Sequence, residues 1–521
     1  PFGDILTQQE IPAQSGPMNI PLPALAKEGG FRFEVELIES GQVRATGWTV
    51  LSSVANVADD LRYGFFATYP EPNGNYDRKA KLLTRFHVNA VEYYDYFPAH
   101  GVYAPTEETY EFEPFGVAIH AGDVQRKIQA GHRRNILSLA YVAAYAASES
   151  VYRRIPDPMT DEAGRVKVFN GQIMTEEEAE AQGKDKWFWI MNVSEGGDWF
   201  TYILEEFRRT LDDRPGDLVS FDGFEVDTYG DPADTRFYAK NSSRNGDLLS
   251  EVLLDFMAEV RDLTREVKPH GLVSFNSVNE FGVEVMYDVT DFLFMEIWRF
   301  YSDRLTELVE IVEHHRAVRN QRVVLKLYPA DMDPKQTAWP ALTLARVLGA
   351  CMTGGGSLMV AGEPDETSQT MHGLNSLYYP DHTPLRPDSA VLLQRYYRQD
   401  ALLYGLTHGP RVLNLPLRVD LPHCVVRGAL ATDKQTLALK FLHMGEEPRW
   451  SAVVPFQAAY ADVPLTVPLP EGLEIRDLWF LTPDHPDYHL PQSIPFSVSQ
   501  NTLTFSLPHL HVYSTVLVRL K

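Results

Sequence analysis

Between residues 62 and 365 the sequence repeatedly sets a short apolar run, closed by polar or small residues, ahead of a longer amphipathic stretch. This is the rhythm of βα units, in which each strand is followed by a helix that covers a mostly parallel sheet. The strand candidates are 63–68, 90–95, 136–143, 218–227, 271–279, 291–298, 323–328 and 357–362, with helices expected over 201–212, 248–267, 303–319 and 339–352. Eight strands fit a closed (β/α)8 barrel. An open doubly wound sheet competes with it, but no Gly-rich phosphate loop follows the first strand, which weakens a nucleotide-binding version.

The flanks differ in texture. Phe31, Phe33, Val35 and Leu37 alternate strictly with Arg32, Glu34 and Glu36, which predicts a half-buried antiparallel strand paired with 42–50. After about residue 415 helical periodicity gives way to short strand-like runs at 425–431, 436–442, 451–456, 473–481, 502–507 and 512–520, the pattern of a β-sandwich. The expected organisation is therefore α/β: an N-terminal β segment over 1–55, a (β/α)8 TIM barrel over 56–415, and a C-terminal antiparallel β-sandwich over 416–521.

Two carboxylates stand out on this frame. Asp227 ends the run FDGFEVD, and Glu296 sits near the end of DFLFMEIW. Burying an unpaired carboxylate is costly, so two on apolar strands point to a site that uses them. Alternate strand residues face opposite ways, so Phe224 and Val226 share one face while Glu225 and Asp227 share the other. By the same parity Leu293, Met295 and Ile297 can face the helices while Glu296 and Trp298 face inward. Both acids then lie at C-terminal strand ends, where barrel catalytic residues gather. The chemistry such a pair permits is glycoside hydrolysis, with retention if the carboxyl groups stand about 5–5.5 Å apart and inversion at about 6.5–9.5 Å. In the bland alternative, Asp227 caps the next helix and Glu296 pairs with Arg299 or another cation.

Composition narrows the partners. Lys and Arg number 47 against 71 Asp and Glu, a net charge of −24, which repels polyanions and argues against nucleic acid but not against a neutral polysaccharide. No run approaches the roughly 18–20 apolar residues of a membrane helix, so no membrane association is expected. Cys351 and Cys424 are too few and too far apart for a disulfide framework or a four-cysteine zinc site. The chain opens on Pro1 rather than Met, which implies that a preceding segment was removed or lies outside it, and any signal peptide would be invisible here.

The segments FDGFEVDTYGD, SFNSVNEFG and DFLFMEIW, in that order and with YYDYFPAHG upstream, resemble glycoside hydrolase family 66, the dextranases and cycloisomaltooligosaccharide glucanotransferases. LRYGFFATYP, ILSLAYVAAYAA, GGGSLMVAGEPD, NSLYYPDHTPLRPD and LLQRYYRQDALL extend the similarity over most of residues 60–410. The resemblance implies a (β/α)8 catalytic module flanked by β-domains, acting on α-1,6-linked glucan with retention, most like an endo-acting dextranase. It makes Asp227 the nucleophile and Glu296 the acid/base. No cofactor and no metal are implied, and a polymeric substrate implies an extracellular or cell-surface location. Relatives that close glucan into rings typically carry an inserted carbohydrate-binding module, which is not evident here, so hydrolysis is expected over cyclisation. A non-catalytic carbohydrate-binding protein on the same fold is the third reading.

The sequence departs from the family in two places. Only about fifty residues precede the barrel, where the family usually has a complete immunoglobulin-like domain, and Gly101-Val102-Tyr103 occupies the place of a family Lys. Further sugar contacts are expected from Tyr94, Asp95 and His100 after the second strand, Tyr141 at the third, Asn279 after the fifth, Trp298 beside Glu296, and Glu363 after the eighth. Five of them have an ordinary alternative: loop residues for the first three, core packing for Tyr141, a salt bridge for Glu363. The aromatic-rich stretches 186–192 and 198–200 either wall the cleft or pack the connection onto the barrel. Asp222, Glu225, Asp227 and Asp231 lack EF-hand spacing, so no calcium loop is expected. His314 and His315 read as solvated residues of a surface helix.

Overall fold

The computed structural model describes residues 6–13, 18, 20, 22, 25, 27–70, 72, 74–183, 187–214, 217–228, 235–328, 338–374, 382–415, 417, 419, 421–433, 435–455, 457–469 and 473–521. Its central unit is mixed α/β. Parallel strands occupy Tyr63–Phe66, Ala90–Tyr93, Leu137–Ala143, Gly223–Asp227, Leu272–Phe275, Leu293–Glu296, Val323–Lys326 and Ser357–Met359, one within each expected run. The first five pair side by side in chain order, and so do the last three. A parallel bridge between Asn276 and Phe294 joins the two groups. At the other seam Ser357 Oγ donates to the Leu61 carbonyl at 3.0 Å, and a Cβ at Gly362 would overlap the Phe65 backbone, an approach only glycine permits.

Side chains divide by strand parity. Tyr63, Phe65, Leu139, Leu272, Phe294, Val324 and Met359 form one buried cluster, while their neighbours Phe224, Val226, Met295 and Leu325 join the larger cluster shared with the helices. The helices Asp198–Leu211, Leu249–Val267, Leu305–Arg319 and Ala341–Gly354 lie within three residues of their expected limits. Leu249–Val267 shows why: Leu249, Val252, Leu253, Phe256, Met257, Val260 and Leu263 recur at spacings of three and four and are all buried. Among the described residues no helix is long and apolar enough to cross a membrane.

Two connections enlarge the end of the sheet where Asp227 and Glu296 lie. A hairpin, Thr109–Phe112 with Val117–His120, follows the second strand. After the third comes a small sheet of Ala146–Ala147, Val166–Val168, Gln172–Met174 and Trp189–Ile190. The aromatic stretches mostly pack: Phe188, Trp189 and Trp199 are buried, and Trp199 Nε1 donates to the Ala144 carbonyl at 3.1 Å. Trp187 is the exception at 37% exposed. Lys186 and Asp231 lie outside the described residues.

Several expectations need correction. Gly29–Glu39 pairs with Gln42–Ser53 as an antiparallel hairpin, but its apolar face is not half-buried throughout: Val35 and Leu37 are 55% and 48% exposed. The hairpin docks near its base, where Val50 packs with Leu402 and Leu403. His315 is buried rather than solvated, with Nδ1 2.7 Å from the Tyr287 hydroxyl and Nε2 2.6 Å from Glu280. The expected strand at 451–456 is turn and irregular chain over its described residues, because Trp450 anchors it by donating to the Ser302 carbonyl at 2.8 Å. Tyr460–Pro468 forms a strand instead, at the edge of its sheet, where Pro464 and Pro468 can lack amide hydrogens without breaking a central ladder.

Beyond residue 411 the described strands pair antiparallel. A six-stranded sheet and a three-stranded sheet share a core that includes Leu439, Phe441, Leu465, Val467, Leu503 and Val516.

Candidate active site

Asp227 and Glu296 end the fourth and sixth parallel strands and are 7% and 5% exposed. Their apolar strand neighbours hold the backbone while parity turns both carboxylates to the inner side. Asp227 Oδ2 accepts from the Tyr141 hydroxyl at 2.5 Å, and its Oδ1 accepts from Asn276 Nδ2 and the Thr228 amide, both at 2.8 Å. Glu296 Oε2 accepts from the Tyr328 hydroxyl at 3.1 Å and lies 3.5 Å from Lys326 Nζ. The same Asn276 nitrogen reaches Glu296 Oε2 at 3.4 Å. Two oxygens at 2.8 and 3.4 Å from one nitrogen can be no further apart than 6.2 Å, the sum of those lengths.

The electrostatics follow from burial. Loss of hydration, then the charge of Glu296, pushes the Asp227 carboxyl up to about 6, against the pull of Tyr141, Lys326 and Asn276. Beneath the pair lie Glu225 and Glu92. Both Glu92 oxygens and Glu225 Oε1 are buried without a hydrogen-bond partner among the described residues. Burial raises Glu92 to about 7, with Lys326 opposing, and raises Glu225 well above the carboxylate range. Both are therefore protonated at mildly acidic pH, so Lys326 faces fewer negative charges than the residue count suggests.

The other sequence-predicted residues separate into two groups. Tyr94 stacks on Tyr141 with centroids 4.1 Å apart, and Lys326 Nζ lies 5.1 Å from the Tyr94 ring. Asp95 is half-buried in a left-handed conformation (φ 48°), and burial followed by the nearby Asp227 raises its carboxyl to about 8. Trp298 leans on Tyr328 at 5.3 Å, and its amide donates to Asn279 Oδ1 at 3.0 Å, so Asn279 holds the tryptophan loop. These residues gather around the two acids.

His100 and Glu363 are engaged elsewhere. His100 is buried among Phe97, Phe112 and Phe188, and burial lowers its imidazole to about 3. Glu363 accepts from the Ala67 and Thr68 amides at 3.0 and 3.3 Å and from Lys127 Nζ at 3.1 Å. Although burial opposes it, Lys127 and then Lys79 hold that carboxyl at about 2. Its acceptor oxygens are thereby committed to the protein.

Asn276, Lys326, Tyr328 and Glu92 were missed by sequence reasoning. The signal was present in Val323-Val-Leu-Lys-Leu-Tyr328, where Lys326 and Tyr328 share the parity of the buried Val324 and a buried lysine is as costly as a buried acid.

Residues 18–398 match the sequence model of Glycosyl hydrolase family 66. The chain belongs to glycosyl hydrolase family 66. Membership makes it an enzyme of the glycoside hydrolase type. No curated protein matches the sequence. Among solved structures, this family 66 chain is similar to a cycloisomaltooligosaccharide glucanotransferase from Paenibacillus sp., complexed with cycloisomaltoheptaose. The identity is 15% and the TM-score 0.76, covering 94% of this chain and 88% of that one. A noncanonic maltogenic alpha-amylase from Thermotoga neapolitana follows at 14% identity and TM-score 0.55, covering 87% and 98%. An alpha-amylase from Geobacillus thermoleovorans has 10% identity and TM-score 0.54, covering 89% and 99%. At these identities the likenesses speak for the fold.

Proposed function

We propose that this family 66 enzyme hydrolyses internal α-1,6-glucosidic bonds of a dextran-like glucan with retention, using Asp227 as nucleophile and Glu296 as acid/base. The observation that carries the reading is Asn276 donating to both acids, which limits the two accepting oxygens to a separation of 6.2 Å. That limit favours the spacing of about 5–5.5 Å that retention uses over the 6.5–9.5 Å of inversion.

In the first step an Asp227 oxygen bonds to the anomeric carbon as the glycosidic bond breaks, and the Glu296 proton passes to the leaving oxygen. In the second, Glu296 takes a proton from water, whose oxygen displaces Asp227 and releases the sugar. Tyr141 and Asn276 hold the attacking carboxylate in its ionised form. Trp298 packs on Tyr328, the donor to Glu296, and limits water around that acid. Tyr94 and Asp95 are the sugar contacts in this reading, while His100 and Glu363 shape the scaffold behind them.

The parallel strand order and the two seams support a closed (β/α)8 barrel over about residues 56–415. The shared core of the two antiparallel sheets supports a β-sandwich after it. A polymeric substrate would place the enzyme outside the cell. Transfer to a sugar hydroxyl instead of water would use the same acids, and the likeness to a cycloisomaltooligosaccharide glucanotransferase favours this as the second reading. Incubation with a panel of α-glucans tests both. Hydrolysis gives new reducing ends on α-1,6-glucan, abolished in Asp227→Asn and Glu296→Gln. Cyclic products, lighter than their linear counterparts by one water in mass spectra, would establish the transferase, and full activity in either variant would remove the mechanism.

A further inference from the structure

A second pocket lies where the hairpin after the second strand meets the small sheet after the third. It is a shallow, open pocket lined by Glu113, Pro114, Phe115, Ser148, Glu149, Gly183 and Trp187. Phe115 and Trp187 are 42% and 37% exposed. Their rings meet edge to face at 5.8 Å, and Trp187 stacks flat on Phe169 at 4.9 Å. Trp187 also has φ of +67°, a region that bulky L-residues rarely adopt. Its sequence neighbours Phe188 and Trp189 are buried, whereas Trp187 keeps part of its ring open to solvent.

The chemistry of the lining selects the occupant. Glu149 already accepts from Trp189 Nε1 and Arg153 Nε, each at 3.0 Å, and Glu113 accepts from the Ser150 hydroxyl and, at 3.4 Å, from the Ser150 amide. Carboxylates partly satisfied in this way suit the hydroxyls of a neutral ligand better than a free cation, and two carboxylates among the described lining residues disfavour an anion. Aromatic faces beside hydroxyl acceptors are the combination that a pyranose, apolar on its faces and polar at its rim, requires. The pocket stands on the connections after the second and third strands, which lie at the end of the sheet that carries Asp227 and Glu296.

We propose that Trp187 and Phe115, with Glu113 and Glu149, form a remote subsite that holds a glucose unit of the same α-glucan chain whose bond is cut at Asp227 and Glu296. The subsite rests on the substrate class proposed above, and it would favour polymer over short oligosaccharide.

Two measurements on the full chain test it. In Asp227→Asn protein, which prevents turnover, adding Trp187→Ala should weaken binding to dextran in affinity electrophoresis by about 5–10-fold, the scale of one lost aromatic contact. Trp187→Tyr should restore most of it, and Phe115→Ala serves as a second variant if circular dichroism shows that Trp187→Ala is misfolded. In the active enzyme, Trp187→Ala should lower the ratio of kcat/KM on dextran to kcat/KM on isomaltotriose by a similar factor. Unchanged dextran binding, or equal losses on polymer and trisaccharide, would overturn the subsite. If the unaltered protein releases no reducing ends from any α-glucan, the proposed activity fails. Normal cleavage with dextran binding insensitive to Trp187 sinks the subsite alone.

Discussion

Asn276 donates its amide nitrogen to Asp227 at 2.8 Å, closer than the 3.4 Å at which it meets Glu296. This asymmetry makes it chiefly a positioning residue for the nucleophile. Asn276→Ala should lower kcat by about 10²-fold, the scale seen when one donor is removed from a preorganised charge site. The donor favours ionised Asp227, so its loss should also move the acidic limb of kcat/KM to higher pH. A purely structural role would leave that limb in place.

The pH profile carries a prediction of its own. Asp227 must be ionised to attack, and burial with Glu296 nearby raises it to about 6, so kcat/KM should rise through about pH 6 rather than near pH 4. Lys326 pulls Asp227 and Glu92 downward, so Lys326→Met should shift this limb upward as well. Initial rates between pH 4 and pH 9 on a soluble α-glucan measure both.

Stability should run the other way. Asp95 and Glu92 are raised to about 8 and 7, so the folded protein retains protons that the unfolded chain releases near pH 4. Where the native state binds more protons, unfolding free energy falls as pH rises. This stabilisation is fully present below about pH 4 and is lost as pH rises to about 8, the highest of these folded-state values. The contribution of these groups should therefore lower Tm between pH 5 and pH 8, and Glu92→Gln should flatten the decline. A slope unchanged by Glu92→Gln would count against the buried proton.

Lys127 and Glu363 form a buried pair that also ties down the Ala67 and Thr68 amides. Glu363→Ala leaves Lys127 buried with Asp123, at 3.3 Å, as its remaining acidic partner. Denaturant unfolding should show a loss of about 3 kcal/mol, at the lower end for breaking a buried pair. A sugar contact would instead raise KM with stability intact.

Strand parity made much of the fold and the acid pair legible, because an apolar strand that carries one carboxylate leaves few places for it. Lys326 and Tyr328 obey the same parity, yet their partner Glu296 lies on another strand and only pairing brings them together. His100 and Glu363 show the opposite limit: both stand after strands where site residues gather, but Phe112 and Phe188 surround one and Lys127 claims the other. The edge strand Tyr460–Pro468 was hidden by its prolines, which argue against a central strand and are silent about an edge.

Retention by Asp227 and Glu296 on an α-1,6-glucan requires double displacement. Proton NMR recorded in the first minutes of cleavage, before mutarotation, tests it most directly. Double displacement predicts that the α-anomer of the new reducing end appears first, with β growing in later. A β-anomer appearing first would contradict it.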